Sequence, residues 1–376
     1  MLVVLYFHQL GYSPFAVASL FLFYEFFGMI TNLVGGYLAS RLGLNVTMHI
    51  GMAMQIVALA MLTVPDAWLS VAYVMSAQAL SGIAKDLNKM SAKASVKTLV
   101  TKDADTQLFK WVAILTGSKN TLKGVGFFLG AALLQWLEFR GALIALASFL
   151  LIVLIITFYL LPSDLGKAKA KPKFTQVFSQ TAAINWLSAA RFFLFGARDV
   201  WFVVALPVFL HSVLDWSFTE VGSFMALWVI GYGIIQASAP QLLKRNGQAP
   251  QGSTARNWAL LLCMIPAAIA IALGLGYSAE VVVIGGLAVF GAVFAINSAV
   301  HSYLILAYAS GDKVAMNVGF YYMANAGGRL VGTVLSGLGY QSYGLVGCLW
   351  ISAAFISLAL LLSLPLSVNQ LKNSNT

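Results

Sequence analysis

Runs of about twenty apolar residues recur down this chain, broken by few charges, and they leave it very few possible folds. The 376 residues are 60% hydrophobic and only 9% charged, whereas a soluble globular chain is about 25% charged. In lipid only helices and closed barrels satisfy every backbone hydrogen bond. The runs lack the alternation of barrel strands, so a bundle of membrane-spanning helices is expected. The 33 glycines agree, because small residues let membrane helices approach closely.

The apolar segments read as 14–38, 46–65, 67–97, 108–137, 141–162, 181–213, 218–242, 257–277, 280–308, 314–339 and 343–367, eleven in all. A further segment, 1–10, is too short to span. Thirteen basic residues fall in the connections of one side: Arg41, Lys97, Lys102, Lys110, Lys167, Lys169, Lys171, Lys173, Lys244, Arg245, Arg256, Lys313 and Lys372. Only Arg140 falls on the other, so the basic side is cytoplasmic. The net charge of +10 is explained by this topology and by an anionic solute, and no nucleic-acid partner is expected. Cys263 and Cys348 lie in apolar segments without metal or redox spacing and read as packing residues.

An internal repeat runs through the chain. Tyr12-Ser13, Val17, Ser19 and Tyr24 return as Trp216-Ser217, Val221, Ser223 and Trp228 at an offset of 204. Lys123, Val125-Gly126 and Gln135 return as Arg329, Val331-Gly332 and Gln341 at an offset of 206. Two similar halves in the same orientation are the parallel-repeat plan of the major facilitator superfamily. The expected divisions are a bundle over 1–162, a basic cytoplasmic linker over 163–180, a second bundle over 181–367 and a cytoplasmic tail over 368–376. The second half opens near Thr181, so the offset places the matching start before Met1. The first helix is therefore expected to lack its cytoplasmic end, the alternative being a first half that starts with a half-helix.

Charge within the spans is lopsided. Eight cations lie there, Lys85, Lys89, Lys93, Lys119, Lys123, Arg191, Arg198 and Arg329, against three acids, Glu25, Asp86 and Asp199. Each costs at least about 2.5–3.5 kcal/mol at a helix centre, so a water-filled cavity that receives an anion is the simplest explanation. Lys85, Lys89, Lys93 and Lys97 are four apart and form a stripe on one helix face, which Lys119 and Lys123 repeat on the next. Lys123, Arg198 and Arg329 fall near mid-membrane, and Lys123 and Arg329 occupy matching positions of the repeat. Lys93 and Lys89 either belong to this path or snorkel to the headgroups. Arg191 reads as an interface anchor, and Arg198 and Asp199 as a pair or as site residues. Glu25, Asp86 and Asp199 are candidates for proton coupling or for counter-ions. Asn120, Asn325, Tyr321, Tyr322, Asn297 and His301 add hydrogen-bonding groups. Gly124, Gly126, Gly130, Gly327, Gly328 and Gly332 are expected at close helix contacts. Phosphate-loop, metal-ligand and nucleophile-elbow patterns are lacking, so no enzyme activity, metal or cofactor is expected.

Gly36-Tyr-Leu-Ala-Ser-Arg41-Leu-Gly43 resembles the facilitator loop signature Gly-x-x-x-Asp-Arg-x-Gly-Arg-Arg, with Ser40 in place of the acid and Leu44 and Asn45 in place of the basic pair. That resemblance implies a gating role for Gly36, Arg41 and Gly43. More specifically, Ser81-Gly-Ile-Ala-Lys-Asp-Leu-Asn-Lys-Met-Ser-Ala-Lys93, Thr116-Gly-Ser-Lys-Asn120, Lys123-Gly-Val-Gly-Phe-Phe-Leu-Gly130, Asp164-Leu-Gly-Lys-Ala-Lys-Ala-Lys-Pro-Lys-Phe174 and Phe195-Gly-Ala-Arg-Asp-Val-Trp-Phe-Val-Val204 resemble the bacterial organoarsenical efflux permeases, the ArsJ family. The resemblance runs over essentially the whole chain. It implies export of 1-arseno-3-phosphoglycerate, pairing with a glyceraldehyde-3-phosphate dehydrogenase, and residence in the bacterial inner membrane.

The resulting expectation is a monomeric secondary transporter for an organic anion, with Lys85, Lys89, Lys119, Lys123, Arg198, Arg329, Asn120, Asn325 and Tyr321 at the substrate. An organophosphate–phosphate exchanger and a non-transporting anion sensor are the alternatives.

Overall fold

The computed structural model describes residues 22–100, 104–163, 165–167, 181–243, 249–309 and 313–373. The half-helix and shortened start expected before residue 22 lie outside the described residues, as does most of the basic loop. Every regular element among the described residues is helical: α1 (Leu22–Leu42), α2 (Leu44–Met61), a 3-10 turn (Asp66–Trp68), α3 (Val71–Leu99), α4 (Asp105–Leu160), α5 (Ala182–Phe202), α6 (Ala205–Ser212), α7 (Phe218–Leu242), α8 (Gly252–Gly274), α9 (Ala279–Tyr308) and α10 (Val314–Asn373).

The two longest helices are each two passes. α4 has 56 residues, which as a straight rod would run about 84 Å, far beyond the roughly 30 Å hydrocarbon core. Its backbone breaks at Glu138 (φ 58°, ψ 179°). The arms fold back on each other, since Gly126 and Leu146 line one cavity. α10, with 60 residues, breaks likewise at Gly344 (φ 62°, ψ −164°). With these breaks, and with α6 continuing α5, the described helices make eleven passes, the number the apolar segments predict. Seven helical stretches qualify as spans by length and composition, among them Val314–Leu366, which contains the break. α1, α3 and the first arm of α4 fall short, and the last two do so because they carry the lysines.

The breaks at 138 and 344 are 206 residues apart, the offset of the second sequence repeat. The same left-handed kink at matching positions is independent support for that repeat. Gly344 adopts this conformation without steric penalty, whereas Glu138 does not.

The described chain packs as two compact units. One comprises the described parts of Met1–Leu99, Val125–Ser179 and Ala309–Ala326, and the other those of Val100–Gly124, Gln180–Tyr308 and Gly327–Thr376. In the first, α3 is clasped by α1 and α2. Leu62, Leu69, Val74, Ala77, Phe139 and Leu143 form a core around the break. α1 meets the start of α10 backbone to backbone, for a methyl group on Gly36 would lie 2.7 Å from the Ala315 carbonyl oxygen. The second arm of α4 turns Ile144, Phe149, Ile152, Phe158 and Tyr159 outward, as a lipid-facing helix does.

In the second unit an aromatic core joins α5, α7 and α9. Trp201 is fully buried and sits edge-on to Trp228 and Phe290. The chain is interrupted between α5 and α6, where the Val204 and Ala205 amides donate to Ser336 Oγ at 3.2 and 3.1 Å. A hydroxyl from a neighbouring helix thus satisfies a broken span. Gly117 and Gly124 press the first arm of α4 onto α7 at Gly233 and Ile230.

Glu138→Gly is expected to remove the strain of a side chain at this kink, raising stability by about 1 kcal/mol. A higher midpoint of thermal unfolding in detergent checks this; an unchanged or lower midpoint contradicts it.

Candidate functional site

Two cation clusters lie inside the spans, one in each unit, and each is organised by one buried carboxylate. In the first unit the carboxylate is Asp86, 3% exposed, in the middle of α3. Lys89 Nζ donates to its Oδ1 at 2.8 Å, and Lys85 Nζ lies 3.9 Å from Oδ2. The spacing of three residues brings Lys89 onto Asp86 along the helix. Gly28 of α1 makes the room: a methyl there would lie 2.5 Å from Asp86 Oδ2. The Tyr322 ring of α10 faces the Lys89 ammonium at 4.1 Å and that of Lys93 at 5.3 Å. Aromatic faces attract cations most strongly where water is excluded.

Exposure falls along this stripe. The side chains of Lys85 and Lys89 are 29% and 13% exposed, and Lys93 is 2% exposed. Lys93 does not snorkel to the headgroups as one sequence reading allowed; α10 covers it. Tyr321 and Asn325 are buried on α10 in the same unit.

The second cluster centres on Asp199, which is fully buried in α5. Arg198 Nε donates to its Oδ1 at 2.6 Å, with Arg198 Nη2 on the same oxygen, and Arg329 Nε donates to Oδ2 at 3.0 Å. Glycines bring Arg329 there. A methyl on Gly332 would lie 2.5 Å from the Gly196 carbonyl oxygen, and one on Gly328 would overlap the Phe192 carbonyl. This small-residue ridge seats α10 directly on α5. Phe195 is stacked by two guanidinium groups, Arg191 at 3.7 Å and Arg198 at 5.1 Å.

Arg191 is placed otherwise than expected. It is 3% exposed, so it anchors nothing at the interface. Its Nη1 donates to the carbonyl and hydroxyl oxygens of Ser298 at 3.3 and 3.2 Å. Gln236 Nε2 donates to the same hydroxyl at 3.1 Å, and Asn120 Nδ2 donates to Gln236 Oε1 at 2.6 Å. A polar chain therefore runs from α4 through α7 and α9 to α5. Asn120 was legible in the sequence, but Gln236 and Ser298 were not. The available signal was an amide and a hydroxyl within otherwise apolar spans. Asn297 and His301 are buried on α9.

Lys119 and Lys123 lie on the exposed face of α4, away from the Gly117–Gly124 face that meets α7. Gly124 keeps its expected close contact, but Gly126 does not: a methyl there meets nothing within 4 Å. The side chain of Glu25 lies outside the described ones.

The loop signature is built for close approach. Gly43 has φ 105°, and any side chain there would strike the Ser163 carbonyl. The Leu44 amide donates to the Leu165 carbonyl at 2.8 Å, and Asn45 Nδ2 to the Pro162 carbonyl at 2.7 Å. Ser40, in the acid's place, is buried and donates to the Tyr37 carbonyl. Arg41 donates to the Tyr37 hydroxyl at 2.8 Å.

With this geometry established, comparison with known proteins identifies the family. The Major Facilitator Superfamily model matches residues 1–297, so the chain belongs to that superfamily. A search of curated proteins by sequence finds no match. Among solved structures, the human organic anion transporter MFSD10 (TETRAN) superposes with a TM-score of 0.75 at 18% identity, over 93% of this chain and 84% of that one. A bacterial homologue of the iron transporter ferroportin, in its outward-facing state, gives 0.74 at 18% identity over 94% and 90%. The transporter FucP in the outward conformation gives 0.73 at 11% identity over 94% and 90%. At these identities the likeness shows the fold alone, and that fold is the major facilitator fold.

Removing Asp199 takes away the one buried acid that Arg198 and Arg329 share. Asp199→Asn is expected to cost about 3–5 kcal/mol of stability, and Asp199→Asn with Arg329→Gln less than Asp199→Asn alone. Thermal unfolding of the purified variants checks the order; equal loss in both removes the shared-carboxylate account.

Proposed function

We propose that this major facilitator transporter exports an organic anion from the bacterial cytoplasm, and that 1-arseno-3-phosphoglycerate is its substrate. The observation that carries the reading is the surplus of cations in the spans, eight against three acids, with two of those acids each shared between two cations. Lys85, Lys89 and Asp86 sum to a formal +1, as do Arg198, Arg329 and Asp199. An incoming phosphate or arsenate competes with the carboxylate for these donors. Arg offers its planar fork and Lys a mobile point charge.

The roles are assigned by charge and by depth along the spans. Lys85, Lys89, Lys119 and Lys123 gather the anion, and Arg198 and Arg329 complete the mid-membrane site, with Asn120, Asn325 and Tyr321 as hydrogen-bonding groups. Asp86 and Asp199 act as counter-ions that keep the cations poised while the site is empty. The substrate is assigned through the ArsJ-like stretches of the sequence, whose doubly anionic solute suits this surplus. The same resemblance supplies the functional partner, a glyceraldehyde-3-phosphate dehydrogenase that makes the solute from arsenate, and the setting, the inner membrane. An inside-negative potential of 100 mV would assist export by about 2.3 kcal/mol per charge, so coupling to protons is not required.

Alternating access between the halves 1–162 and 181–367 fits the helix contacts. α1 meets the start of α10 at Gly36 and Gly319, near the ends of both helices that carry Arg41 and Lys313. α4 meets α7 at Gly117 and Gly233, toward their basic ends. Each contact joins a helix of one half to a helix of the other. The falling exposure from Lys85 to Lys93 runs in the same direction, toward closure on the cytoplasmic side.

Arsenate resistance in a sensitive bacterium, with and without the dehydrogenase, tests the substrate. Resistance is expected only when both proteins are present, and no gain from the pair counts against the arsenical assignment. Lys123→Gln and Arg329→Gln are each expected to abolish flux into everted vesicles while leaving membrane insertion intact. Full flux in both variants takes these residues out of the site. A sensor, in contrast to a transporter, would bind the solute and show no counterflow.

A further inference from the structure

A cavity of about 330 Å³ lies inside the first unit, and no residue of that unit's cation cluster lines it. It is bounded by α2, α3 and both arms of α4, and its size is within the range of small-molecule sites. None of its thirteen lining residues is ionisable. The α4 walls are apolar, with Leu129, Leu133, Leu143 and Leu146 facing in. The opposite wall carries three polar side chains, Gln55, Gln78 and Ser81. Ser81 Oγ donates to Gln55 Oε1 at 2.9 Å. Gln78 is 93% buried, and its amide has no hydrogen-bond partner among the described residues. The Gln78 amide, set in the cavity wall, therefore offers its donor and acceptor to whatever occupies the space.

Gly126 gives a second, independent sign. It lines the cavity, and a methyl on it meets nothing within 4 Å, so the space beside it is unfilled by the described residues. Leu129, also in the lining, is 52% exposed, which gives the cavity an opening on the outer surface of the helices.

We propose that this cavity binds a neutral amphiphile dissolved in the bilayer, an alkyl body against the α4 leucines with a hydroxyl or carbonyl head on Gln78 and Gln55. The split of the walls into an apolar face and a neutral amide face sets this chemistry. A charged head is rejected because no counter-charge lines the space, and a pure alkane is disfavoured because it leaves Gln78 unsatisfied. The site is separate in residues and in charge from the anion path, so its occupant is not the transported solute.

Photolabelling of the full chain in lipid nanodiscs with a diazirine analogue of 1-decanol tests the proposal. Labels are expected on residues 126–146, with competition by 1-decanol and none by decyl phosphate or decane. Gly126→Leu puts a side chain into this space, where its Cβ meets nothing within 4 Å, and should abolish the labelling. Gln78→Leu should weaken competition by 1-decanol about three- to tenfold, the loss expected for one hydrogen bond. Equal labelling of the Gly126→Leu chain, equal competition by decyl phosphate, or no saturable labelling (the cavity then holding water alone) would each overturn it. Because the anion-path lysines and arginines are untouched in both variants, failure here is distinguishable from failure of the transport reading.

Discussion

One carboxylate shared between two cations, deep in a lipid-spanning bundle, is the constraint on which the rest of this structure depends. Asp199 holds Arg198 and Arg329, and Asp86 holds Lys89 with Lys85 beside it. A single ion pair would neutralise itself. Two cations on one acid cannot, and the low dielectric of the spans strengthens the effect. The cost of stranding such charge is offset locally by aromatic faces, Tyr322 for the lysines and Phe195 for the arginines. Under the proposed function, an anion entering between the donors would offset the remainder.

Glycine is the second requirement, because the clusters form only where backbones nearly touch. Gly28 opens the space that Asp86 fills, and Gly328 and Gly332 seat α10 so that Arg329 reaches Asp199. The kink at Glu138 and its counterpart at Gly344 turn two long helices back on themselves at matching points of the repeat. The fold therefore rests on close approaches and reversals as much as on hydrophobic area, as expected in lipid, where apolar burial between helices gains little.

Much of this was legible in the sequence. The apolar segments located the passes, including both reversals, because length and hydropathy alone decide what can span a membrane. Helical spacing placed Lys85, Lys89, Lys93 and Lys97 on one stripe, and adjacency paired Arg198 with Asp199. What spacing could not show was partnership between distant helices. Arg191 looked like an anchor near a helix end, yet Ser298, more than a hundred residues away, draws it inside. Gly126 sat in a run of glycines that all looked like packing positions, and only the placement of the second arm of α4 leaves it facing a cavity. Lys93 could have reached the headgroups by length, and it is the covering helix α10 that keeps it in.

The most direct measurement of the central claim is equilibrium binding to the purified transporter by titration calorimetry. 3-Phosphoglycerate, a stable anion carrying the phosphate and carboxylate charges, should bind, and an uncharged triose should not. Binding should be lost in Lys89→Gln and in Arg329→Gln chains that still fold. Equal binding of the uncharged compound, or undiminished binding of the anion in both variants, would contradict the account.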